Sequence, residues 1–138
     1  MSDNVGDFSL FLRREFPTRF FAKGSTIFRE GEQADEFFVV VRGEVEIRSG
    51  NRWIETVGQN GIFGEMAVID ESARSATVVA LTDVTLAPIQ EQQFLFMVKH
   101  APFFALRVMR VLANRLRRQN KIALEAGRGG STPTVVPL

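Results

Sequence analysis

Between Phe20 and about Gln90 the chain alternates short β-prone runs with glycine punctuation, and this limits its fold more than any other feature. Thr26-Ile27-Phe28 leads to Gly31, and Phe37-Phe38-Val39-Val40-Val41 leads to Gly43. Val45-Glu46-Ile47-Arg48 alternates apolar and charged residues, the period of a half-buried strand. Gly50-Asn51 and Gly58-Gln59-Asn60-Gly61 supply turns, and residues 77–81 and 84–89 complete the strand series. Pro88 has no N–H for a ladder, so it suits an edge strand or a strand end. Many short strands at regular intervals predict a mainly β fold, an antiparallel β-roll of the closed or double-sheet, jelly-roll-like kind.

Helical patterns flank the roll. Phe8, Phe11, Leu12 and Phe16 fall at helical spacing between Asp7, a plausible N-cap, and Pro17. After Gln90, Phe94, Leu95, Met97 and Val98 predict a helix from Glu91 to about Lys99, ending before Pro102. A longer helix from Phe103 to about Ala126 carries Met109, Leu112, Leu116, Ala123 and Ala126 on one stripe, interrupted by Gln119. Gly127 is its natural stop. The expected organisation is one domain over residues 1–126, with the roll at about 20–90 and two C-terminal helices at about 91–126. Residues 127–138, rich in Gly, Ser, Thr and Pro, read as a flexible tail.

Composition removes several classes of chemistry. The 138 residues include 13 Phe, one Trp and no Tyr, so most aromatic rings are expected in the core. With no cysteine there is no disulfide, Cys-ligated zinc or iron–sulfur cluster, and the single histidine, His100, makes no multi-histidine metal site. No metal and no cofactor are expected. A net charge of +1 gives no argument for a nucleic-acid or membrane partner. The N-terminus lacks a secretory pattern, and no run approaches the roughly 18 apolar residues of a membrane span, so the cytoplasm is expected. A Ser/His/Asp grouping would need His100, which sits between two helices. The carboxylate pairs Glu30/Glu32 and Asp70/Glu71 fall at turns, where solvated charge is the ordinary explanation. The chain reads as a binding module, not an enzyme.

The chemistry-bearing stretch is Phe63-Gly64-Glu65-Met66-Ala67-Val68-Ile69-Asp70-Glu71. It begins as a strand, yet after Gly64 it could turn into a short helix, whose free amides would suit an anion. Nine residues beyond Glu65 comes Arg74, then Ser75 and Ala76. A guanidinium there could fork onto phosphate oxygens, Ser75 adds a hydroxyl, and an ionised Glu65 suits a sugar hydroxyl. The competing reading is plain: Glu65 and Arg74 pair with each other, and Gly64-Glu65 is a turn.

Taken together, Lys23-Gly24, Ile27-Phe28-Arg29-Glu30-Gly31-Glu32, residues 37–45, Gly64-Glu65-Met66-Ala67 and Arg74-Ser75-Ala76-Thr77 occur in the order of a known family. Over about Phe16 to Lys121 the chain resembles the cyclic-nucleotide-binding domain family of catabolite activator-type regulators, kinase regulatory subunits and gated channels. The resemblance implies a phosphate-binding cassette at Gly64, Glu65, Met66 and Ala67. In it Glu65 holds the ribose 2′-hydroxyl, Arg74 neutralises the cyclic phosphate, and Ser75, followed by Ala76, adds a hydrogen bond. Gly31 and Gly43 are expected to be structural. The resemblance also lays the last helix over the base, with Gln119 and Asn120 as base-contact candidates; solvent-facing amides are the alternative.

It implies cyclic AMP or cyclic GMP as the ligand. Ser75 sits where a hydroxyl helps bind guanine in some relatives, whereas activator-type members with the same Arg-Ser-Ala string favour cyclic AMP; the expectation here is cyclic AMP. The last helix is expected either to pair two chains into a homodimer or to pack on its own roll. Its basic cluster, Arg107, Arg110, Arg115, Arg117, Arg118 and Lys121, is expected to be one solvated face. Trp53 is expected to pack on a short strand. The chain stops about a dozen residues past this helix, without the DNA-binding, kinase or channel segment of relatives. A stand-alone sensor acting on an effector protein in trans is therefore expected. The alternatives are an interaction module with a vestigial site and a transcription regulator lacking its own DNA-binding domain.

Overall fold

The computed structural model describes residues 17–127, without the side chains of residue 119 and residues 122–127. The helix expected over residues 7–16 and the tail beyond Gly127 lie outside the described residues. The elements are β1 (Arg19–Phe21), β2 (Thr26–Phe28), β3 (Glu36–Arg42), β4 (Val45–Ser49), β5 (Arg52–Val57), β6 (Ile62–Phe63), α1 (Met66–Ile69), β7 (Thr77–Ala80), β8 (Val84–Gln90), α2 (Glu91–His100) and α3 (Pro102–Gly127). The strands form two four-stranded antiparallel sheets, ordered β1-β8-β3-β6 and β2-β7-β4-β5. Mainly antiparallel strands with C-terminal helices make the expected β-roll.

The five consecutive apolar residues of β3 follow from burial on both faces, which removes the usual alternation. Phe38 and Val40 join one core, with Phe28, Val45, Ile47, Phe63, Val78 and Leu86, inside the roll. Phe37 and Val39 join a second, with Ile62, Ile89, Met97, Phe104, Val108 and Val111, between sheet and helices. β8 divides likewise, giving Val84 and Leu86 to the first core and Ala87 and Ile89 to the second. Edge-to-face ring contacts tie the second core together: Phe37 lies 5.7 Å from Phe94, and Phe94 lies 5.6 Å from Phe104.

Pro88 departs from its expected place, because β8 is an internal strand and Pro88 pairs with Phe38 of β3. The proline is tolerated because β1 spans only Val84–Leu86 on the other side, so the sheet is locally open at Pro88. Gly43 has φ +92°, and a Cβ there would strike the Asp83 carbonyl oxygen and lie 2.7 Å from Val84 Cγ1. Only glycine fits that turn.

α2 opens on a capping box between Gln90 and Gln93 and closes with Lys99 and His100 in its last turn, a favourable charge placement. His100 is exposed, its ring 4.3 Å from that of Phe96. Pro102 starts α3, where its missing N–H interrupts nothing. The buried face of α3 is Phe104, Val108, Val111 and Arg115, at intervals of four, three and four. Of the two roles open to the apolar stripe, packing on the roll is not taken by Met109 and Leu116, which are 64% and 47% exposed, and Leu112 only flanks the core. The roll-facing side instead ends in a buried arginine, which a hydrophobic pattern cannot count. Arg115 correspondingly leaves the expected solvated basic face. Trp53 is also corrected: it is 56% exposed and donates from Nε1 to Thr56 Oγ1.

Candidate functional site

β6 ends at Gly64, whose φ of +79° turns the chain out of the sheet. Glu65 then stands as N-cap of α1, a single turn at Met66–Ile69. After Glu71, at φ +50°, the chain returns towards β7. Backbone bonds clamp the return. The Gly31 amide donates to the Arg74 carbonyl at 2.7 Å, and the Arg74 amide donates to the Glu32 carbonyl at 2.8 Å. The turn after β2 thus fixes the base of the Arg74 side chain, which agrees with a structural role for Gly31.

Gly64, Met66, Ala67, Arg74, Ser75 and Ala76 come together as the lining of one cleft, floored by Phe28, Ile47 and Val78. The cleft is narrow. About 10 Å³ is open to the centre of a water molecule, room for one water at most. Arg74 closes it: its guanidinium carbon lies 3.9 Å from the Phe28 ring centre, and Nη1 donates to the Gly64 carbonyl at 3.0 Å. Burial draws the Arg74 guanidinium below its ordinary value, while Glu36, Glu32, Asp35 and Glu65 pull it back. It remains a cation at neutral pH.

Glu65 does not line this cleft. It is 1% exposed and turned towards α3, where Arg115 Nη1 donates to its Oε1 at 2.5 Å. The simple Glu65–Arg74 pair is therefore replaced by Glu65–Arg115. Arg115 also donates from Nε to Glu55 Oε1 at 2.9 Å and from Nη2 to the Ile62 carbonyl at 2.5 Å. Burial pushes the Glu65 carboxyl above the usual carboxylate range, with the opposing pull of Arg115 too weak to cancel it. For Arg115 burial acts downward, but Glu65 and Glu55 together raise it, so it is a firm cation. A second cleft of about 280 Å³ lies beside this network, between the β5–β6 turn and α3, with Glu55, Gln59, Asn114 and Arg118 on its walls.

Asn120 is an exposed residue of α3 and lines neither cleft, and the Gln119 side chain lies outside the described residues. Sequence reasoning missed Phe28, Arg115 and Glu55. Phe28 carried a signal, since it sits in the quoted 27–32 motif; Arg115 and Glu55 carried none, because their partners are 50 to 60 residues apart in the chain. Among the described residues, no helix is long and apolar enough to cross a membrane.

Comparison with known proteins gives the family and the fold. A family model described as cyclic nucleotide-binding domain matches residues 18–101. A cGMP-dependent protein kinase of Eimeria tenella is 38% identical over 89 residues, covering 64% of this chain and 9% of the kinase. The Thermus thermophilus catabolite activator protein superposes with a TM-score of 0.71 at 29% identity, covering 80% of this chain and 54% of that one. The EAL enzyme Bd1971 in its cAMP-bound form gives a TM-score of 0.57 at 37% identity over 82% of this chain and 31% of that one. Its cGMP-bound form gives 0.57 at 38%, over 73% and 28%. The chain thus spans under a tenth of the kinase's length and about half of the activator's.

Proposed function

Because this chain belongs to the cyclic nucleotide-binding domain family, we propose that it is a sensor for a cyclic nucleotide, with cyclic AMP favoured over cyclic GMP. The observation that carries the reading is the cassette. Gly64, Met66, Ala67, Arg74 and Ser75 line one cleft, and Glu65, between Gly64 and Met66 in the chain, turns its carboxyl towards α3. In this reading Arg74 leaves Phe28 to pair with the cyclic phosphate, Ser75 adds a hydroxyl donor, and Glu65 accepts from the ribose. Gln119 and Asn120 remain the base-contact candidates.

The module is regulatory rather than enzymatic, works in the cytoplasm, and passes its signal through α3 to an effector protein in trans. A nucleotide drives that switch only if it binds the two positions of α3 unequally. The apolar side chains on the outer face of α3, Met109 and Leu116 among them, support pairing of two chains through this helix. Preference for cyclic AMP rests on the Arg74-Ser75-Ala76 string alone. The Bd1971 relative is known in both cAMP-bound and cGMP-bound forms, so both nucleotides belong in the test.

Isothermal titration with cyclic AMP and cyclic GMP tests the proposal. Saturable heat with either supports it, and no heat at high micromolar nucleotide removes it. The closed cleft favours one second reading, an interaction module whose site stays shut. That reading requires a thermal midpoint that does not move with added nucleotide, whereas a bound ligand raises it by mass action.

A further inference from the structure

α3 gathers the positive charge of the chain. Six of the 17 basic residues lie on it but only one of the 16 acidic ones, Glu125, which leaves the remainder with 11 basic against 15 acidic residues. The net charge of +1 hides this division. Arg115, one of the six, is buried against the roll. Four of the others share a stripe: Phe103, Arg107, Arg110, Asn114, Arg117 and Lys121 follow at intervals of four, three, four, three and four, the spacing of one helical face. Arg110, Asn114, Arg117 and Lys121 are exposed, and Arg107 is half-buried. From Arg107 to Lys121 the row is about 21 Å long. It begins at an apolar corner. Phe103 is 81% exposed, and just before it α2 leaves Leu95 and Phe96 exposed, with Lys99 and His100 in its last turn. Single exposed apolar residues need no explanation, but three at one helix corner, joined to a row of cations, do.

We propose that the α2–α3 corner and the basic stripe of α3 dock the chain on the surface of an anionic lipid bilayer. Leu95 and Phe103 enter the boundary between headgroups and acyl chains, and Arg107, Arg110, Arg117 and Lys121 lie over the lipid phosphates. This occupant meets both features at once, since an amphipathic helix binds a membrane through apolar insertion together with attraction to anionic headgroups. A second copy seated on the stripe would set arginine against arginine. Duplex nucleic acid would match the charges, but its phosphate backbone offers nothing apolar to Leu95 and Phe103. The seam of Leu106, Met109 and Leu116 lies about 100° further round α3, so pairing of two chains leaves the stripe uncovered.

The test mixes the full chain with sucrose-loaded vesicles and reads the bound fraction after centrifugation. One set is phosphatidylcholine alone, and the other contains about one-third phosphatidylglycerol. Binding is expected to the anionic vesicles only, falling steeply as salt rises. Arg110→Gln with Lys121→Gln should weaken it about ten- to fiftyfold, the share of two surface charges. Phe103→Ser should weaken it about three- to twentyfold at unchanged charge. Lys23→Gln with Arg29→Gln removes the same charge from the roll and should leave wild-type affinity. All five substituted residues are exposed, so the core is untouched. Failure of wild type to bind anionic vesicles overturns the proposal, and so does equal binding to neutral ones. An equal loss in the Lys23/Arg29 pair overturns it by showing that net charge, not the stripe, is read. Unchanged binding in Phe103→Ser overturns it as well, since charge alone would then hold the chain. Duplex and single-stranded DNA form the last arm: binding to either, lost with Arg110 and Lys121 while vesicles stay unbound, assigns the stripe to nucleic acid and overturns the lipid reading.

Discussion

Arg74 lies over the Phe28 ring, its guanidinium carbon 3.9 Å from the ring centre, while its Nη1 donates to the Gly64 carbonyl at 3.0 Å. The cation proposed to meet the phosphate is thus parked across the cleft it would serve. A cation–π contact of this kind is worth about 0.5–2 kcal/mol, less than a guanidinium gains from a phosphate fork. Arg74→Ala should therefore cost about 2–5 kcal/mol of nucleotide binding. Phe28→Leu keeps an apolar floor but removes the stack, so binding should tighten by about two- to tenfold even as the fold is weakened. Titration calorimetry on both variants checks the pair; weaker binding in Phe28→Leu would show that the ring supports the bound arginine instead.

Gly64 and Gly43 both need left-handed backbone, but an added Cβ meets different obstacles. At Gly64 it lies 2.7 Å from Arg74 Nη1, the end of a side chain that can move. At Gly43 it meets the backbone carbonyl of Asp83, which cannot. Gly64→Ala should cost about 1–2 kcal/mol of stability, mostly backbone strain, and push Arg74 off its perch. Gly43→Ala should cost about 2–5 kcal/mol, because strain and overpacking add. Urea midpoints measure both, and equal losses would show that Asp83 yields.

The roll was readable because its signals are local: glycine turns, and runs such as 37–41 whose uninterrupted apolar character already reports burial on both faces. The cassette was readable for the same reason, since Gly64 to Ala76 is one continuous stretch. What escaped was set by distant contacts. Arg115 looked like one more solvated arginine because Glu55, Ile62 and Glu65 reach it only after the roll closes. With Arg115 in it, the buried face of α3 is not a purely apolar stripe, so the apolar pattern of Met109 and Leu116 marks the opposite, exposed face. Pro88 misled for a related reason: it sits in an internal strand whose neighbour ends two residues short of it.

The carboxyl of Glu65 gives the fold a signed pH dependence. Its folded pKa is raised above the ordinary 4.5, so between those two values the folded chain binds more protons at this site than the unfolded chain. Stability from this group must therefore fall as pH rises above 4.5, levelling off once the folded carboxyl is ionised. Glu65→Gln keeps an acceptor for Arg115 and removes the titration. Relative to that variant, wild type should lose ground steadily from acid towards neutral pH. Denaturant midpoints across that range provide the measurement, and a wild-type advantage that grew with pH would mean that Arg115 outweighs burial.

The outer face of α3 makes the last prediction. Met109 and Leu116 stand one heptad apart and largely exposed, with Leu106 three residues before Met109 also exposed. Continuing the three–four alternation through Ala113 brings Asn120 onto the same seam, at a core position of a two-stranded coiled coil. An asparagine at such a position favours two parallel chains over larger assemblies, and it lowers stability in doing so. The chain should therefore sediment as a dimer. Met109→Glu with Leu116→Glu should give monomers by placing like charges on the seam, while leaving Phe104, Val108 and Val111 to hold the helix on its roll. Asn120→Leu should strengthen association and admit assemblies beyond the dimer. A wild-type chain that sediments as a monomer at high micromolar concentration would show that this face serves something other than a second copy.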